Sequence, residues 1–506
     1  LSRLPLFAQT QQPGASFQMP KVIPPAPNAA AMAKYGDIPV NTYTGIPSIS
    51  IPLFELQAKG TTVPISLSYQ AGGIRVEENA SWVGLGWSLN AGGVVTRSIR
   101  GLADEETQGG YLYNSINLDS IERMQNSGFA SNFAGVLADV REGRLDLEPD
   151  AYFFNFNGRA GKFIIDRNTK KAFAIPYQKI DIRFDRSSSG PFERWTIRTE
   201  DGTTYVFGKT TDNLREAVET TNNLTRPSRS VMTAVSSWYL VEIITTVGEK
   251  VSFKYKSSIQ SYLGKGSETL SRCAAFNGCS DDAGNTVSRE IGYNETQINC
   301  QVLSSVESNS GGRIEFETKT ENRRDLGRNS RALEFVKIYN SVNTLVKQYR
   351  LHTDYFESVG TLNVSYPGGE ESRKLRLMLK SVTEMAPDGS AKNPHVFDYH
   401  YDLGSGLALP EKMSDSQDHW GYYNGASNAG SVPVQAYPMT CTNDRFFLGA
   451  ADRRPNAGKM VACTIKEIRY PTGGVSRFEF EPHDVFMSDF DFENIPNANS
   501  LVFKKL

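Results

Sequence analysis

The sequence predicts a mainly β chain, in which antiparallel hairpins add edge to edge into a large curved sheet or hollow shell with a small helical insertion. Three observations carry this. Apolar residues recur with period two along much of the 506 residues. Turn pairs such as Asn157-Gly158 and Asp201-Gly202 interrupt alternating runs. A degenerate hairpin unit recurs through the second half, and 27 Phe, 22 Tyr and 5 Trp supply material for its core.

Taken in order, residues 1–35 are rich in Gln, Pro and Ala and read as a flexible segment. Asn28, after Pro24, Pro25 and Pro27, is placed to cap one or two helical turns ending near Gly36. Residues 4–9 (LPLFAQ) read either as the tail of a secretory signal or as a trimmed terminus. Residues 36–235 form an opening β module. In its strand 61–69 (TTVPISLSY), Val63, Ile65, Leu67 and Tyr69 share one face. Residues 152–165 and 195–207 read as hairpins. Between the strands, residues 117–142 carry Ile121, Met124, Phe133, Val136, Leu137 and Val140 at helical spacing, an amphipathic insertion expected to cap the sheet or reach a partner.

Residues 236–506 hold the repeat, which is expected to continue past the end of the chain. Four stretches share an apolar-x-x-(Ile/Val) start, a Gly-bearing turn and a Phe-x-(Tyr/Phe/Thr) finish. They start at Leu240/Ile243, Leu303/Val306, Leu379/Val382 and Ile465/Ile468. They finish at Phe253/Tyr255, Phe316/Thr318, Phe397/Tyr399 and Phe478/Phe480, with turns at Gly248, Gly311-Gly312, Gly389 and Gly473-Gly474. A weaker copy runs from Leu333/Val336 to Val346. Each is a strand, a Gly turn and a second strand, too small to stand alone in water, so neighbours must pair. Residues i and i+3 face opposite sides of a regular strand, so the start predicts either a β-bulge or burial on both faces. The uneven spacing of the copies argues against a constant-period solenoid or propeller.

These hairpins resemble the YD-repeat units of bacterial Rhs/YD-repeat proteins. Residues 63–100 (VPISLSYQAGGIRVEENASWVGLGWSLNAGGVVTRSIR) resemble the opening module of SpvB and Tc-toxin B-component proteins. The matching positions are Pro64, Ser66, Leu67, Tyr69, Gly84, Leu85, Gly86, Trp87, Ser88, Leu89 and Arg97. Residues 418–424 (DHWGYYN) and 451–459 (ADRRPNAGK) resemble further signatures of large secreted Rhs-type proteins, and the likeness spans about residues 35–485. The YD dipeptide survives only as Tyr401-Asp402. The resemblance implies a β-rich shell that encloses or displays a C-terminal effector, often a toxin. The family's self-cleaving core belongs beyond this chain's last residue, so its catalytic residues have no counterpart here.

The chemistry of the sequence fits a scaffold. Lys+Arg 54 against Asp+Glu 56 leaves a net charge of −2, giving no reason to propose nucleic acid, and no apolar run reaches membrane-span length. G-x-S-x-G, H-E-x-x-H, C-x-x-C and P-loop motifs are absent from the sequence. No catalytic residue, cofactor or metal is assigned. His395 and His400 point to opposite faces of a strand, Asp415-x-x-Asp418-His419 reads as a polar turn, and residues 281–285 miss the EF-hand spacing. Gly84 and Gly86 read as a tight turn beside Trp82 and Trp87. Cys273 and Cys279 could close a short disulfide in a secreted protein. The expectation is a non-enzymatic wall segment, secreted or on the bacterial cell surface. Its partners would be its own C-terminal effector region or other toxin-complex or secretion components. Two alternatives stand beside it: an adhesin or carbohydrate binder using Trp420, Tyr422 and Tyr423 as stacking platforms, and a glycoside-active enzyme.

Overall fold

The structure, a computed structural model, describes residues 38–116, 118–126, 130–186, 190–226, 232–272, 287–326, 329–360, 362, 365–438 and 445–482. The Cys273/Cys279 pair, the Asn28 cap and residues 281–285 lie outside these. By contact the chain divides into two compact units, Leu1–Ser48 and Ile49–Leu506. In the first, the described residues make a turn closed by a Val40–Pro47 bridge, with Asn41 Oδ1 accepting from the Tyr43 and Thr44 amides.

The second unit opens with a three-stranded antiparallel sheet, β1 (Ile49–Ala58), β2 (Thr61–Tyr69) and β3 (Trp87–Asn90). As the alternation predicts, Val63, Ile65, Leu67 and Tyr69 are buried on one face of β2. β4 (Gly93–Ser98) starts a much larger sheet. Helices α1 (Leu118–Asn126) and α2 (Ala130–Arg141) follow as the expected insertion, but Leu137 and Val140 stay exposed. Their apolar stripe is therefore only partly covered.

Two runs of strands then enclose an aromatic core. β5 (Ala151–Phe156), β6 (Arg159–Ile165) and β7 (Ala172–Ile175) extend from β4; β8 (Ile180–Arg186), β9 (Phe192–Thr199) and β10 (Thr204–Gly208) form the second run. The Asn157-Gly158 turn takes the two positive φ angles, 44° and 77°, that a tight hairpin requires. β11 (Val218–Arg226) leads to β12 (Met232–Ile244), which joins the two runs: Ser237, Trp238 and Tyr239 pair with β4, while its later residues pair with β10. Tyr152, Phe154, Phe156, Phe163, Phe192, Trp195, Phe207 and Trp238 are all fully buried here, with Tyr152 5.0 Å from Trp195 and Trp195 5.6 Å from Trp238. At roughly 1.5–3 kcal/mol for each buried large apolar side chain, this cluster is a leading source of stability for the module.

β13 (Lys250–Arg272) and β14 (Val287–Ser308) are a long hairpin. β12 pairs with β13, β13 with β14, β14 returns to β11, and β11 pairs with β12, so four strands close on themselves. From β14 the sheet continues strand by strand through β15 (Gly312–Thr318), β16 (Leu333–Tyr339), β17 (Leu345–Glu357), β18 (Leu375–Met385) and β19 (His395–Tyr399). A short helix, α3 (Gly369–Lys374), precedes β18. Residues 400–464 leave the sheet and carry the two-stranded β20 (Gln435–Pro438) and β21 (Arg445–Leu448), then α4 (Ala457–Met460). β22 (Ile465–Arg469) rejoins beside β19, and β23 (Val475–Arg477) pairs with β22.

The repeat is therefore a set of consecutive hairpins paired edge to edge. Its irregular start is a bulge in every copy. Register shifts place the unpaired residue directly after the first marker: Val241 after Leu240, Ser304 after Leu303, Glu334 after Leu333, Lys380 after Leu379 and Lys466 after Ile465. One extra residue returns both markers to the same face, and all ten are buried. The finish of one copy lies opposite the start of the next strand pair. Phe253 faces Val306 and Tyr255 faces Leu303; Phe316 faces Val336 and Thr318 faces Leu333; Phe397 faces Ile468 and Tyr399 faces Ile465. The last copy departs from its expected strand, since β23 stops at Arg477 and Phe478 and Phe480 are half-buried beyond it.

Candidate functional site

The signature residues of the opening module converge on the hairpins. Trp87 is buried at the start of β3, its ring 5.2 Å from Tyr69 and 4.6 Å from Phe397. Its Nε1 donates to the Tyr399 hydroxyl at 2.9 Å, and that hydroxyl donates to the Leu379 carbonyl at 2.6 Å. The Tyr69 hydroxyl accepts from the Ile465 amide at 3.0 Å. Thus the sequence-predicted Tyr69, Trp87, Phe397 and Tyr399 come together in one buried cluster. Leu67 is buried within β2 and Pro64 is exposed on its other face, while the Ser66, Ser88 and Leu89 positions are partly or fully exposed.

Gly84 and Gly86 are fixed by close approach. Gly84, at φ 155°, would place a Cβ 2.9 Å from the Leu379 amide nitrogen; Gly86, at φ 73°, would place one 2.6 Å from the Tyr69 ring. Leu85 between them is buried, and its amide donates to Leu377 O at 2.8 Å. The loop is thus a backbone dock on β18, held by Ser81 Oγ donating to Trp87 O at 2.6 Å. In the wall, Gly311 approaches Gln57 O of β1 and Gly312 approaches Tyr339 O too closely for a side chain, whereas Gly473 and Gly474 sit in an open turn.

Residues 74–85 have almost no regular structure, yet Ile74, Val76, Ala80 and Leu85 are packed with Phe356, Leu377, Leu409 and Tyr423. Buried carbonyls of such a loop need donors. Arg323 donates to Ala80 O and Ser81 O at 3.0 and 2.8 Å while paired with Asp325 at 2.7 Å. Arg376 donates to Val76 O at 2.6 Å, and Glu77 accepts from the Met413 amide at 2.8 Å. Lys412 donates to Asp325 O and Ser372 O; burial, with the Arg376 charge nearby, pushes its ammonium down to about 7. None of these cations was legible as functional in the sequence, because the carbonyls they reach lie far away in the chain.

Arg97 anchors a second buried charge group. It reaches Glu105 at 2.6 Å and Asp150 at 3.7 Å, donates to Val235 O at 2.5 Å, and lies over the Trp238 ring at 5.4 Å. Asp104 and Asp150 are fully buried and accept from each other's backbone amide at 3.0 and 3.1 Å. Burial, reinforced by the Asp150 charge, raises Asp104 to about 7; burial raises Asp150 to about 6, against the pull of Arg97 and backbone donors.

The aromatic platform expected at residues 420–423 is committed to packing. Tyr423 is buried, and Tyr422 donates to Gly72 O at 3.1 Å beneath the Arg75 guanidinium. Trp420 keeps a partly exposed ring, set edge-on to His419 with centroids 6.3 Å apart. Asp418 accepts from the Trp420 and Tyr422 amides at 2.8 and 3.0 Å and Asp415 from Lys265 at 2.7 Å, the polar turn that the sequence suggests. The two motifs at 418–424 and 451–459 also meet: Arg453 donates to Asp418 O, and Asn424 to the Asp452 and Arg454 carbonyls.

A cleft of about 640 Å³ lies between the opening module and the closed ring of β11 to β14. Trp82, Tyr239, Phe253, Tyr255, Leu303 and the Gly92-Gly93 turn line it, with Glu219 as the one charged residue among the described residues of the lining. Cys300 at its wall is buried, its Sγ donates to Ser258 O at 3.4 Å, and burial pushes its thiol up to about 11, which disfavours the thiolate.

Residues 41–275 match the family described as Salmonella virulence plasmid 65kDa B protein, SpvB, so this part of the chain is similar to that family. No curated protein matches the sequence. Among solved structures, a complex of TcdB2-TccC3 with Cdc42 is 12% identical, with a TM-score of 0.36 over 71% of this chain. The Photorhabdus luminescens Tc holotoxin pore carrying TccC3-D651A is also 12% identical, with a TM-score of 0.36 over 70% of this chain. This chain spans 16% of the length of either. The N-terminal domain of effector protein SpvB from Salmonella typhimurium strain LT2 is 12% identical, with a TM-score of 0.30 over 67% of this chain and 98% of that one.

Proposed function

We propose that this chain is a structural segment of a secreted, toxin-associated β-shell that encloses or presents a C-terminal effector. The observation that carries the reading is the docking of Trp87 and Tyr69 onto Phe397, Tyr399 and Ile465, which ties the module to the repeat wall. The bulged hairpins then supply a rule by which one strand receives the next, a property of a scaffold rather than of a catalyst. The partners are the effector region itself and other toxin-complex components. The glycoside-active alternative wants two facing carboxylates, and among the described residues the cleft is lined by one. The adhesin alternative loses Tyr422 and Tyr423 to internal packing.

The test is protease protection of the full-length protein with an epitope placed in the region after residue 506. Enclosure predicts an epitope that resists native digestion and becomes sensitive when the wall is unfolded by denaturant. Sensitivity from the outset leaves presentation, and release of no separate effector domain under any digestion would sink the shell reading.

A further inference from the structure

The cleft over β11 to β14 has chemistry that the scaffold role does not use. Among the described residues that line it, Glu219 is the one charged side chain. Oε1 accepts from the Ser236 and Ser237 hydroxyls at 3.0 and 3.1 Å, and Oε2 from the Tyr239 hydroxyl at 3.0 Å. These three neutral donors fix the carboxylate's orientation, while no Lys, Arg or His among the described residues forms an ion pair with it. Elsewhere among the described residues Glu242, Glu268, Asp325 and Glu411 each have a cation within 2.7 Å, whereas the buried Asp104 and Asp418, like Glu219, form no ion pair. What distinguishes Glu219 from these is its place, half-buried in the lining of the cleft.

What surrounds it is suited to a cation with an apolar stem. Tyr239, whose hydroxyl reaches the carboxylate, stands 5.4 Å from Tyr255 with the ring planes inclined by 44°, and both rings line the cleft. The Tyr255 hydroxyl is tied to Leu240 O at 2.7 Å, so that ring is held in place. Phe253, Leu240, Ile243 and Leu303 continue the lining as an apolar wall. A carboxylate next to aromatic faces attracts an ammonium group both by charge and through the ring quadrupoles, and more so out of bulk water. The volume lies within the usual range of small-ligand sites.

We propose that this cleft binds an alkylammonium ion, its charged head between Glu219 and the Tyr239 and Tyr255 rings and its stem along Phe253 and Leu303. A free amine and a lysine side chain share this chemistry. The inference does not depend on the shell.

The experiment is calorimetric or ligand-observed NMR titration of the full chain with hexylammonium, with 1-hexanol as the uncharged probe of equal length. Hexylammonium is expected to saturate one site, to weaken as salt is raised, and to bind at least about tenfold more tightly than hexanol. Glu219→Gln should weaken hexylammonium about tenfold or more and leave hexanol unchanged, and Tyr255→Leu should weaken it about threefold or more. Should Glu219→Gln disturb folding, Gln260→Trp, which fills the cleft from its lining and keeps the carboxylate, should block binding. Acetylated-lysine and lysine peptides then separate the sources: a lysine peptide that competes and an acetylated one that does not identifies a side-chain ligand, and competition by neither identifies the free amine. No saturation, equal binding of the two hexyl probes, or wild-type affinity in Glu219→Gln overturns the proposal.

Discussion

The hydroxyl of Tyr399 is the most economical place to test whether the module and the wall form one structure. It accepts from Trp87 Nε1 at 2.9 Å and donates to Leu379 O at 2.6 Å, all three groups being out of bulk water. Tyr399→Phe keeps the ring and deletes both bonds. Each stranded buried group costs about 1–3 kcal/mol, so the substitution should destabilise by about 2–4 kcal/mol. Trp87→Phe removes the donor and part of the contact with Phe397, at a cost of about 2–3 kcal/mol. With Trp87 already replaced, Tyr399→Phe loses only the Leu379 bond, about 1–1.5 kcal/mol. The two changes should therefore be less than additive by about 1–2 kcal/mol.

A chain of this size need not unfold in one step, so the free energy should be read locally. Hydrogen exchange by mass spectrometry, across a urea series, on the peptides holding β3 and β19 reports both sides of the contact. Destabilisation must appear in both peptides for either single substitution. Additivity within about 0.3–0.5 kcal/mol, the level of independent sites, would refute the contact. So would loss of protection in β19 alone.

Three further outcomes are expected. Deleting Lys466, the bulged residue of β22, should turn Ile465 off the face it shares with Ile468 and cost about 2–5 kcal/mol by urea unfolding, whereas deleting Gly474 in the open turn should cost far less. Gly86→Ala, which meets the Tyr69 ring at 2.6 Å, should cost about 2–4 kcal/mol, while Gly143→Ala, at a similar φ of 70° but with open space, should show only the backbone cost of about 1 kcal/mol. Asp104 is raised from 3.8 to about 7, so the folded state holds a proton that the unfolded state releases. Its stabilising contribution is complete below about pH 4 and is lost as pH rises through about 7, with a slope of up to about 1.4 kcal/mol per pH unit. Asp104→Asn should reduce this slope and leave the share of Asp150, itself raised to about 6, while an unchanged slope between pH 5 and 7, read by urea midpoint, would place the proton elsewhere.

The hairpins were legible because their signals are local. Alternation in Thr61–Tyr69, the Asn157-Gly158 turn and the Gly-turned units each depend on residues within one strand pair. Even the bulges left a trace, since Leu303-x-x-Val306 breaks the period in the only way that one inserted residue repairs. What joins these pieces is non-local. Trp87 and Tyr399 are 312 residues apart, and Tyr69 and Ile465 are 396. Tyr422 and Tyr423 read as platforms because nothing nearby in the sequence indicates that Gly72 and the 74–85 loop lie against them. Glu219 was invisible for the same reason, since its place in the lining is a property of the folded cleft.

The Gly-Leu-Gly-Trp-Ser-Leu block can now be given a physical reason. An irregular loop buried against a sheet exposes carbonyls to a dry interior, a cost that ordinarily keeps loops on the surface. Here the wall supplies the donors: Arg323 and Arg376 take the loop's carbonyls, and Leu377 O takes the Leu85 amide. The glycines let the loop backbone reach β18 closely enough for that exchange, and Trp87 fills the space left beside Phe397. Removing any one member leaves buried polar groups without partners, so the loop and the wall are expected to fold together or not at all. That coupling also explains why Arg376 and Lys412 are tolerated as buried cations facing carbonyls rather than carboxylates: their role is to satisfy backbone that the module brings with it.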